Sequence, residues 1–152
     1  SAGERVMGVE HAYRPRRGMG FSLLELLVVV AIASLLATLA QASWWSQVLR
    51  VRRIDATAAL LQASAAQESY YSRQGRYADR LVPEPPTGLG FEGTRHGWYR
   101  LQIEMADDSS FRIVAEPAVG SAQSADEPCQ RFSIDHAGRR GSAPSPPQEC
   151  WR

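Results

Sequence analysis

The sequence predicts an α+β fold in which one long N-terminal helix packs on a small antiparallel β-sheet. The first observation is the placement of helix breakers: residues 21–74 contain no glycine or proline, whereas the rest of the 152-residue chain holds all 12 glycines and all 9 prolines. The second is that short apolar segments separated by turn residues follow residue 75, which is typical of strands. With 44% apolar and 22% charged residues, the composition is that of a globular chain of one domain.

A basic leader precedes the helix, and a long apolar run begins it. Residues 1–20 contain four arginines and two glutamates, and from Phe21 to Leu49 the single charged residue is Glu25. As a helix the run 21–42 would be about 33 Å long, enough to cross the hydrocarbon core of a bilayer. Because the arginines precede this run, the positive-inside rule places the leader in the cytoplasm and the remainder of the chain beyond the membrane.

The helical pattern continues past the apolar run. Arg73 and Gly75 are C-terminal helix signals, so we expect one helix of about 50 residues that ends at Gln74. In its second half, apolar residues recur every three or four positions, which predicts the face that packs on the sheet. These residues are Trp44, Val48, Val51, Ile54, Ala58, Leu61 and Ala65. The chain divides accordingly into a leader (1–20), a transmembrane or assembly half of the helix (21–42), a soluble half (43–74) and a globular region (75–152).

The globular region is predicted to hold three strands. Residues 82–97 are rich in glycine and proline and predict a loop. The segments 98–105 and 111–115 alternate in polarity and predict a hairpin, and 131–134 predicts a third strand. The Pro- and Ser-rich tail, 142–147, is expected to form no regular structure.

The two cysteines of the chain, Cys129 and Cys150, can form one internal disulfide. Outside the cytoplasm they should pair, and closing a loop of this length stabilises the fold by roughly 3 kcal/mol in the chain-entropy model. The bond would hold the tail against the third strand. Two free thiols are the alternative, and a redox-active role is not expected because the cysteines lack C-x-x-C spacing.

Glu25 is the most informative residue of the apolar run. Placing a carboxylate inside a bilayer costs ~2.5–3.5 kcal/mol of insertion free energy, so such a residue is expected to have a function. If the chain were cut after Gly20, Phe21 would carry a new ammonium one helical turn from Glu25. The two charges could then neutralise each other between neighbouring chains in a water-poor bundle. A capping box formed by Ser22 and Glu25 is the alternative, and both readings can hold together.

The residues at this junction resemble the type IV prepilin family. Its signature is a basic leader followed by Gly, a cut, and Phe-(Thr/Ser)-Leu-x-Glu-Leu, which matches residues 20–26 position for position. The segments 67–78 and 129–151 further resemble the PilE-type minor pilins. The resemblance implies the pilin roll, in which the long helix packs on the antiparallel sheet and a disulfide closes the C-terminal region.

The resemblance also implies how the chain is processed and where it acts. A prepilin peptidase/methyltransferase would cleave between Gly20 and Phe21 and methylate the Phe21 amine, and Glu25 would align subunits in a helical filament. The other implied partners are further pilins and the inner-membrane pilus assembly machinery. Before assembly the protein would be a single-pass inner-membrane protein with a periplasmic C-terminus, and afterwards part of an extracellular pilus (fimbrium). Pilus assembly, cell adhesion, twitching motility and DNA uptake are the activities that such subunits serve.

Several alternatives accompany this interpretation. Major pilins usually carry Gly and Pro in the apolar helix, where this chain has Ser34 and Ala42, which favours a minor pilin. A type II secretion pseudopilin shares the N-terminal signature. A secreted soluble protein, cut after Ala42 at an A-x-A-like site, is the third interpretation. The apolar stretch 21–39 is longer than a usual signal sequence and contains Glu25, which argues against that cut.

We expect no enzymatic activity, metal or other cofactor. His96 and His136, the histidines outside the leader, have no metal-ligand cluster around them in the sequence. All 17 basic residues are arginines, and from Phe21 onward 13 arginines stand against 14 acidic residues. We therefore interpret most arginines as solvated surface residues and keep DNA binding as an alternative.

Overall fold

The computed structural model describes residues 21–152, apart from the side chain of Ala42. The predicted leader, with Gly20, lies outside the described residues. The chain forms two compact units that divide between Leu39 and Ala40. Among the described residues of the first unit, 23–39 are helical, and every side chain from 21 to 39 is exposed.

A single helix, α1 (Leu23–Gln74), accounts for the N-terminal half of the described chain. Its 52 residues confirm the predicted length and end. Gly75 follows with φ +70°, a left-handed conformation that ends helices and that a side chain rarely adopts. The Gly75 N–H donates to the Tyr71 carbonyl at 2.8 Å, which satisfies one of the last carbonyls of the helix.

Four antiparallel strands form one sheet in the order β1-β2-β3-β4. Their bounds are β1 (Tyr99–Ala106), β2 (Phe111–Pro117), β3 (Cys129–Asp135) and β4 (Arg140–Pro144). The register places Ile113 of β2 opposite Ile103 of β1 and opposite Ile134 of β3, so that apolar side chains line up across three strands. The three strands predicted from the sequence are confirmed: β1 is shifted by one residue, and β2 and β3 are longer than predicted.

The prediction that the tail has no regular structure is wrong. Residues 140–144 form β4, which pairs with β3, and Pro147–Cys150 form the short helix α2. Proline is tolerated in β4 because this strand lies at the edge of the sheet, where an outward N–H would have no partner. Hydrogen bonding to β3 thus orders a sequence that local propensity alone leaves irregular.

The prediction of which helix face meets the sheet is also wrong. The apolar stripe chosen from periodicity is largely exposed: Trp44 is 72% exposed, Val51 64% and Ile54 59%. The buried face instead centres on alanines, whose small side chains let a helix approach a sheet closely. Its residues recur every three or four positions, with Ala59 and Leu60 adjacent: Leu49, Arg53, Ala56, Ala59, Leu60, Ala63, Gln67 and Tyr70.

The core contains the disulfide and several aromatic rings. Tyr99 packs edge-on against Phe132, with ring centroids 5.6 Å apart. Cys129 and Cys150 are bonded, with Cα atoms 5.7 Å apart, and both are fully buried. The predicted pairing is therefore confirmed, and the alternative of two free thiols is wrong. The bond attaches α2 to the start of β3.

Candidate functional site

The first half of α1 exposes apolar side chains on every face. An 18-residue window of this helix has a mean hydropathy of 2.5 and no buried part, so α1 is long and apolar enough to cross a membrane. Leu23, Leu27 and Leu35 are each more than 60% exposed. Such a surface is unstable in water and requires lipid or other apolar chains around it.

Phe21 and Glu25 lie at the start of this exposed half-helix, where the sequence placed them. Phe21 is 73% exposed and precedes the first helical residue by two positions. Glu25 is exposed in the first turn, and within residues 21–152 its carboxylate forms no ion pair. In the same turn the Leu26 N–H donates to the Ser22 carbonyl at 3.1 Å. Within residues 21–152, therefore, no positive group offsets the charge of the Glu25 carboxylate.

A buried polar network, which the sequence did not reveal, joins α1 to the C-terminal region. The Arg53 guanidinium donates to both carboxylate oxygens of Asp126 at 2.7 Å and to the Glu149 carbonyl at 3.2 Å. The Gln123 amide donates to Asp126 and to the Leu49 carbonyl, each at 3.0 Å. The network fixes the helix against the segment that leads into β3 and against α2.

The network also perturbs its titratable members. The hydrogen bond that Arg53 donates to Asp126 is the largest influence on the guanidinium and holds its pKa above the usual value, against the effect of burial. Burial, with the negative charge of Asp126 second, raises the pKa of the Tyr99 phenol. Both groups therefore keep their ordinary protonation states at neutral pH.

Arginines from β2, β3, β4 and the turn before β4 lie close together. A shallow pocket of about 230 Å³ is lined by Arg112, Arg131, Arg139 and Arg140. Most of these arginines have acidic neighbours: Arg131 pairs with Glu104 and Glu116, Arg112 with Glu104, and Arg139 with Asp135. Arg140 instead lies over the Trp151 ring at 5.2 Å from its centroid, as a cation–π contact. The surface therefore combines guanidinium groups, most of them paired with carboxylates, and the half-buried Trp151 ring lies beside it.

Neither His136, which follows Asp135, nor His96 forms a catalytic arrangement with the residues beside it. The Asp135 carboxylate accepts from the N–H groups of Ala137 and Arg139 and from the Arg139 guanidinium. Burial raises the pKa of this carboxyl, but the hydrogen bonds from Arg139 outweigh it and leave the pKa below its usual value. The other histidine, His96, contacts Asp55 through Nδ1 at 3.0 Å. Within residues 21–152 the structure brings together no group of ligands suited to a metal ion.

Comparison with known proteins assigns the family. The family model described as type IV minor pilin ComP, DNA uptake sequence receptor, matches residues 42–133, more than half of the chain. The chain belongs to the type IV minor pilin family. The sequence resemblance to type IV pilins is thereby confirmed, and so is the predicted pilin fold.

Two pilins are similar to the minor pilin described here. The type IV major pilin protein PilA of Myxococcus xanthus (strain DK1622) is 33% identical over 109 residues, which cover 70% of this chain and 46% of that protein. The chain thus spans about half the length of this curated relative. A type IV pilin structure from Shewanella oneidensis has 25% identity and a TM-score of 0.45, covering 68% of this chain and 98% of that one.

Proposed function

We propose that this minor pilin is a structural subunit of a type IV pilus, held by residues 21–42 in the inner membrane and later in the filament core. The supporting observation is the fully exposed apolar half-helix attached to a folded, disulfide-bonded domain. Lipid covers this surface before assembly, and the helices of neighbouring pilins cover it afterwards. The assembly machinery of the inner membrane moves the subunit between these two environments.

Processing prepares the helix for assembly. The prepilin peptidase/methyltransferase cleaves between Gly20 and Phe21 and methylates the new amine of Phe21. Cleavage removes the basic leader, whose arginines would otherwise hold the N-terminus at the cytoplasmic surface. It also creates a positive charge one helical turn from Glu25, in a segment that otherwise carries no charge up to Leu49.

Glu25 then guides the subunit into the filament. Its carboxylate forms no ion pair within residues 21–152, and an isolated carboxylate in an apolar setting is costly. An ion pair with the Phe21 ammonium of the adjacent subunit removes this cost and fixes the axial position of the incoming helix. A capping role inside one chain would give no such alignment.

The test is Glu25→Gln, which preserves the shape of the side chain and its capping ability but removes the charge. We expect the variant to be cleaved and folded but depleted from sheared pili relative to the membrane fraction. Breaking a buried ion pair costs ~3–5 kcal/mol, enough to exclude most of the variant. Glu127→Gln, the same change at an exposed loop position, serves as the control. Incorporation of both variants at the level of the unmodified protein would refute the charge-pairing role.

DNA binding is a second candidate function, because the matched family model is described as a DNA uptake sequence receptor. The arginine cluster supports it with guanidinium groups for phosphates, of which Arg140 has no ion-pair partner within residues 21–152. Since acidic residues slightly outnumber arginines from Phe21 onward, a local cluster rather than the net charge must attract DNA.

A mobility-shift assay of the purified protein with duplex DNA tests this second candidate. Arg140→Gln should weaken binding and reduce its salt dependence, because one phosphate contact is lost. Arg73→Gln removes an arginine at the end of α1 and should leave binding unchanged. The absence of a shift at low salt, or equal effects of the two substitutions, would contradict DNA binding by this cluster.

A further inference from the structure

The second half of α1 and the loop before β1 form an apolar groove. Its volume is about 780 Å³, and every residue that lines it belongs to the unit that begins at Ala40. The loop wall consists of Arg95, His96 and Trp98. The helix wall supplies the apolar surface, which comes from Trp44, Val48, Val51, Ile54, Ala58 and Ala59. A groove of this size and lining is typical of an interaction site.

The groove begins where the apolar run of α1 ends. Trp44 follows residues 21–42 by two positions, and Trp45 is next to it. Tryptophans are enriched at the boundary between the hydrocarbon core of a bilayer and its headgroups. When residues 21–42 span the inner membrane, as proposed above, Trp44 lies at the periplasmic surface. Lipid is then the apolar material that is nearest to the groove.

The apolar stripe of the helix wall matches an acyl chain in length. Along the helix axis Trp44 and Ile54 are about 15 Å apart. One leaflet supplies about half of a ~30 Å hydrocarbon core, so an acyl chain extends over a similar distance. Trp44, Val51 and Ile54 are each more than half exposed, and an acyl chain laid along them removes this apolar surface from water.

The accessible charge beside the groove is positive. Arg95 is exposed, and within residues 21–152 it forms no ion pair. The lining contains one acidic residue, Asp55, whose side chain is only 6% exposed. Its Oδ1 accepts from the His96 backbone N–H at 3.3 Å and contacts the His96 ring Nδ1 at 3.0 Å. A phosphate at Arg95 therefore meets a cation and no accessible carboxylate.

Two buried polar atoms at the groove do not select its occupant. Asp55 Oδ2 and Arg52 Nε are both buried and have no hydrogen-bond partner among the described residues. The Arg52 guanidinium lies 3.2 Å from the centroid of the Trp98 ring, which attaches the loop wall to α1. Because an occupant reaches neither buried atom, recognition depends on the apolar stripe and on the exposed Arg95.

We propose that the groove binds the acyl chains of phospholipid from the periplasmic leaflet of the inner membrane, with the lipid phosphate at Arg95. The inference rests on the membrane-anchored state of the proposed function. This contact covers the apolar stripe before assembly and holds the second half of α1 at the membrane surface. It assigns a lipid partner to a surface that lies beyond the membrane-spanning residues.

Quenching of tryptophan fluorescence by brominated lipid tests the contact. The full chain is reconstituted in vesicles of phosphatidylcholine and phosphatidylglycerol whose acyl chains carry bromine, and in the same vesicles without bromine. One variant keeps Trp98 and has phenylalanine at the other three tryptophan positions, and a matched variant keeps only Trp151. Bromine quenches at close contact, so we expect quenching of Trp98. Trp151 lies outside the groove and should not be quenched.

A matched pair of substitutions, made in the variant that keeps Trp98, tests the apolar stripe. Val51→Asp places a charge on the stripe and should reduce the quenching about twofold or more. Val119→Asp makes the same change at a residue that is 96% exposed and outside the groove, so the quenching should not change. Both positions are exposed, and equal thermal midpoints verify that the two variants are folded.

Arg95→Gln tests the phosphate contact. With bromine on only one of the two lipids, brominated phosphatidylglycerol should quench Trp98 more than brominated phosphatidylcholine, because its net negative charge favours the Arg95 guanidinium. The substitution should remove this difference. A difference that persists in Arg95→Gln would overturn Arg95 as the phosphate site. A change of Trp98 fluorescence on adding inorganic phosphate to the bromine-free vesicles would overturn lipid as the source of the phosphate.

The outcomes separate the lipid contact from the pilus function. Quenching of Trp98 no stronger than that of Trp151, or equal losses in Val51→Asp and Val119→Asp, would overturn the groove as a lipid site. If the same chain is found in sheared pili, the pilus function stands without it. Quenching of Trp98 in a chain that is absent from sheared pili would refute the pilus function and leave the lipid contact standing.

Discussion

Removing one partner of the buried Arg53–Asp126 ion pair should strongly destabilise the folded unit that begins at Ala40. The two side chains are 9% and 3% exposed, and Arg53 makes three hydrogen bonds, two of them to Asp126. Asp126→Ala leaves the guanidinium with the Glu149 carbonyl alone in a site that water hardly reaches. It also removes one acceptor of the Gln123 amide.

The expected loss follows from these contacts. A buried ion pair broken from one side costs ~3–5 kcal/mol, because the remaining charge is uncompensated. For a unit of this size, at about 4 °C per kcal/mol, the thermal midpoint should fall by roughly 12–20 °C. Replacing both partners, with Arg53→Met and Asp126→Leu, should cost less than either single replacement because no unpaired charge remains.

Thermal unfolding of the detergent-solubilised chain, followed by near-ultraviolet circular dichroism, measures these differences. The buried rings of Tyr70 and Tyr99 report loss of packing. Arg139→Ala is the control and should cost less than about 1 kcal/mol, because the Arg139 side chain is 74% exposed and Asp135 keeps two backbone N–H donors without it. An Asp126→Ala loss as small as this control, or a double variant less stable than both single variants, would refute the reasoning.

Three further predictions concern the disulfide, the end of α1 at Gly75 and the stability of the fold at alkaline pH. Cys150→Ser should lower the free energy of unfolding by roughly 3 kcal/mol and speed hydrogen exchange in β4 and α2 more than in α1. An equal acceleration of exchange in all three elements would contradict this prediction. Gly75→Ala should lower the free energy of unfolding by about 1 kcal/mol, because φ there is +70°, and an unchanged thermal midpoint would count against the cap. Because burial raises the pKa of Tyr99 above the unfolded value of 10.0, the contribution of Tyr99 to stability should be constant below pH 10 and decline above it. Tyr99→Phe should reduce the loss of unfolding free energy per pH unit above pH 10. An identical loss in the variant would exclude Tyr99 as its cause.

Features that depend on local sequence were predictable. The absence of glycine and proline from residues 21–74, with Gly75 after them, determined the helix because each signal acts within one or two turns. Strands β1, β2 and β3 were predictable for the same reason, since alternation and turn residues are local, whereas β4 depends on its pairing with β3. The cysteine pair was predictable because the chain offers only one pairing.

Features that depend on distant partners were not predictable from a single sequence. Asp126 lies 73 residues from Arg53, and nothing in either neighbourhood indicates the pair. The buried face of α1 was missed because hydropathy favours large apolar residues, whereas close helix-to-sheet packing selects Ala56, Ala59 and Ala63. The large apolar residues Trp44, Val51 and Ile54 lie on the exposed face instead.

The mass of the mature protein from sheared surface filaments tests the central claim most directly. A pilus subunit processed as proposed begins at Phe21, carries one added methyl group on its amine and retains the Cys129–Cys150 bond. The account predicts that this species is present in the filament fraction. A mature chain that begins at Ser43, recovered as soluble protein and absent from filaments, would contradict it, because cleavage after Ala42 removes Glu25 and the whole apolar half-helix.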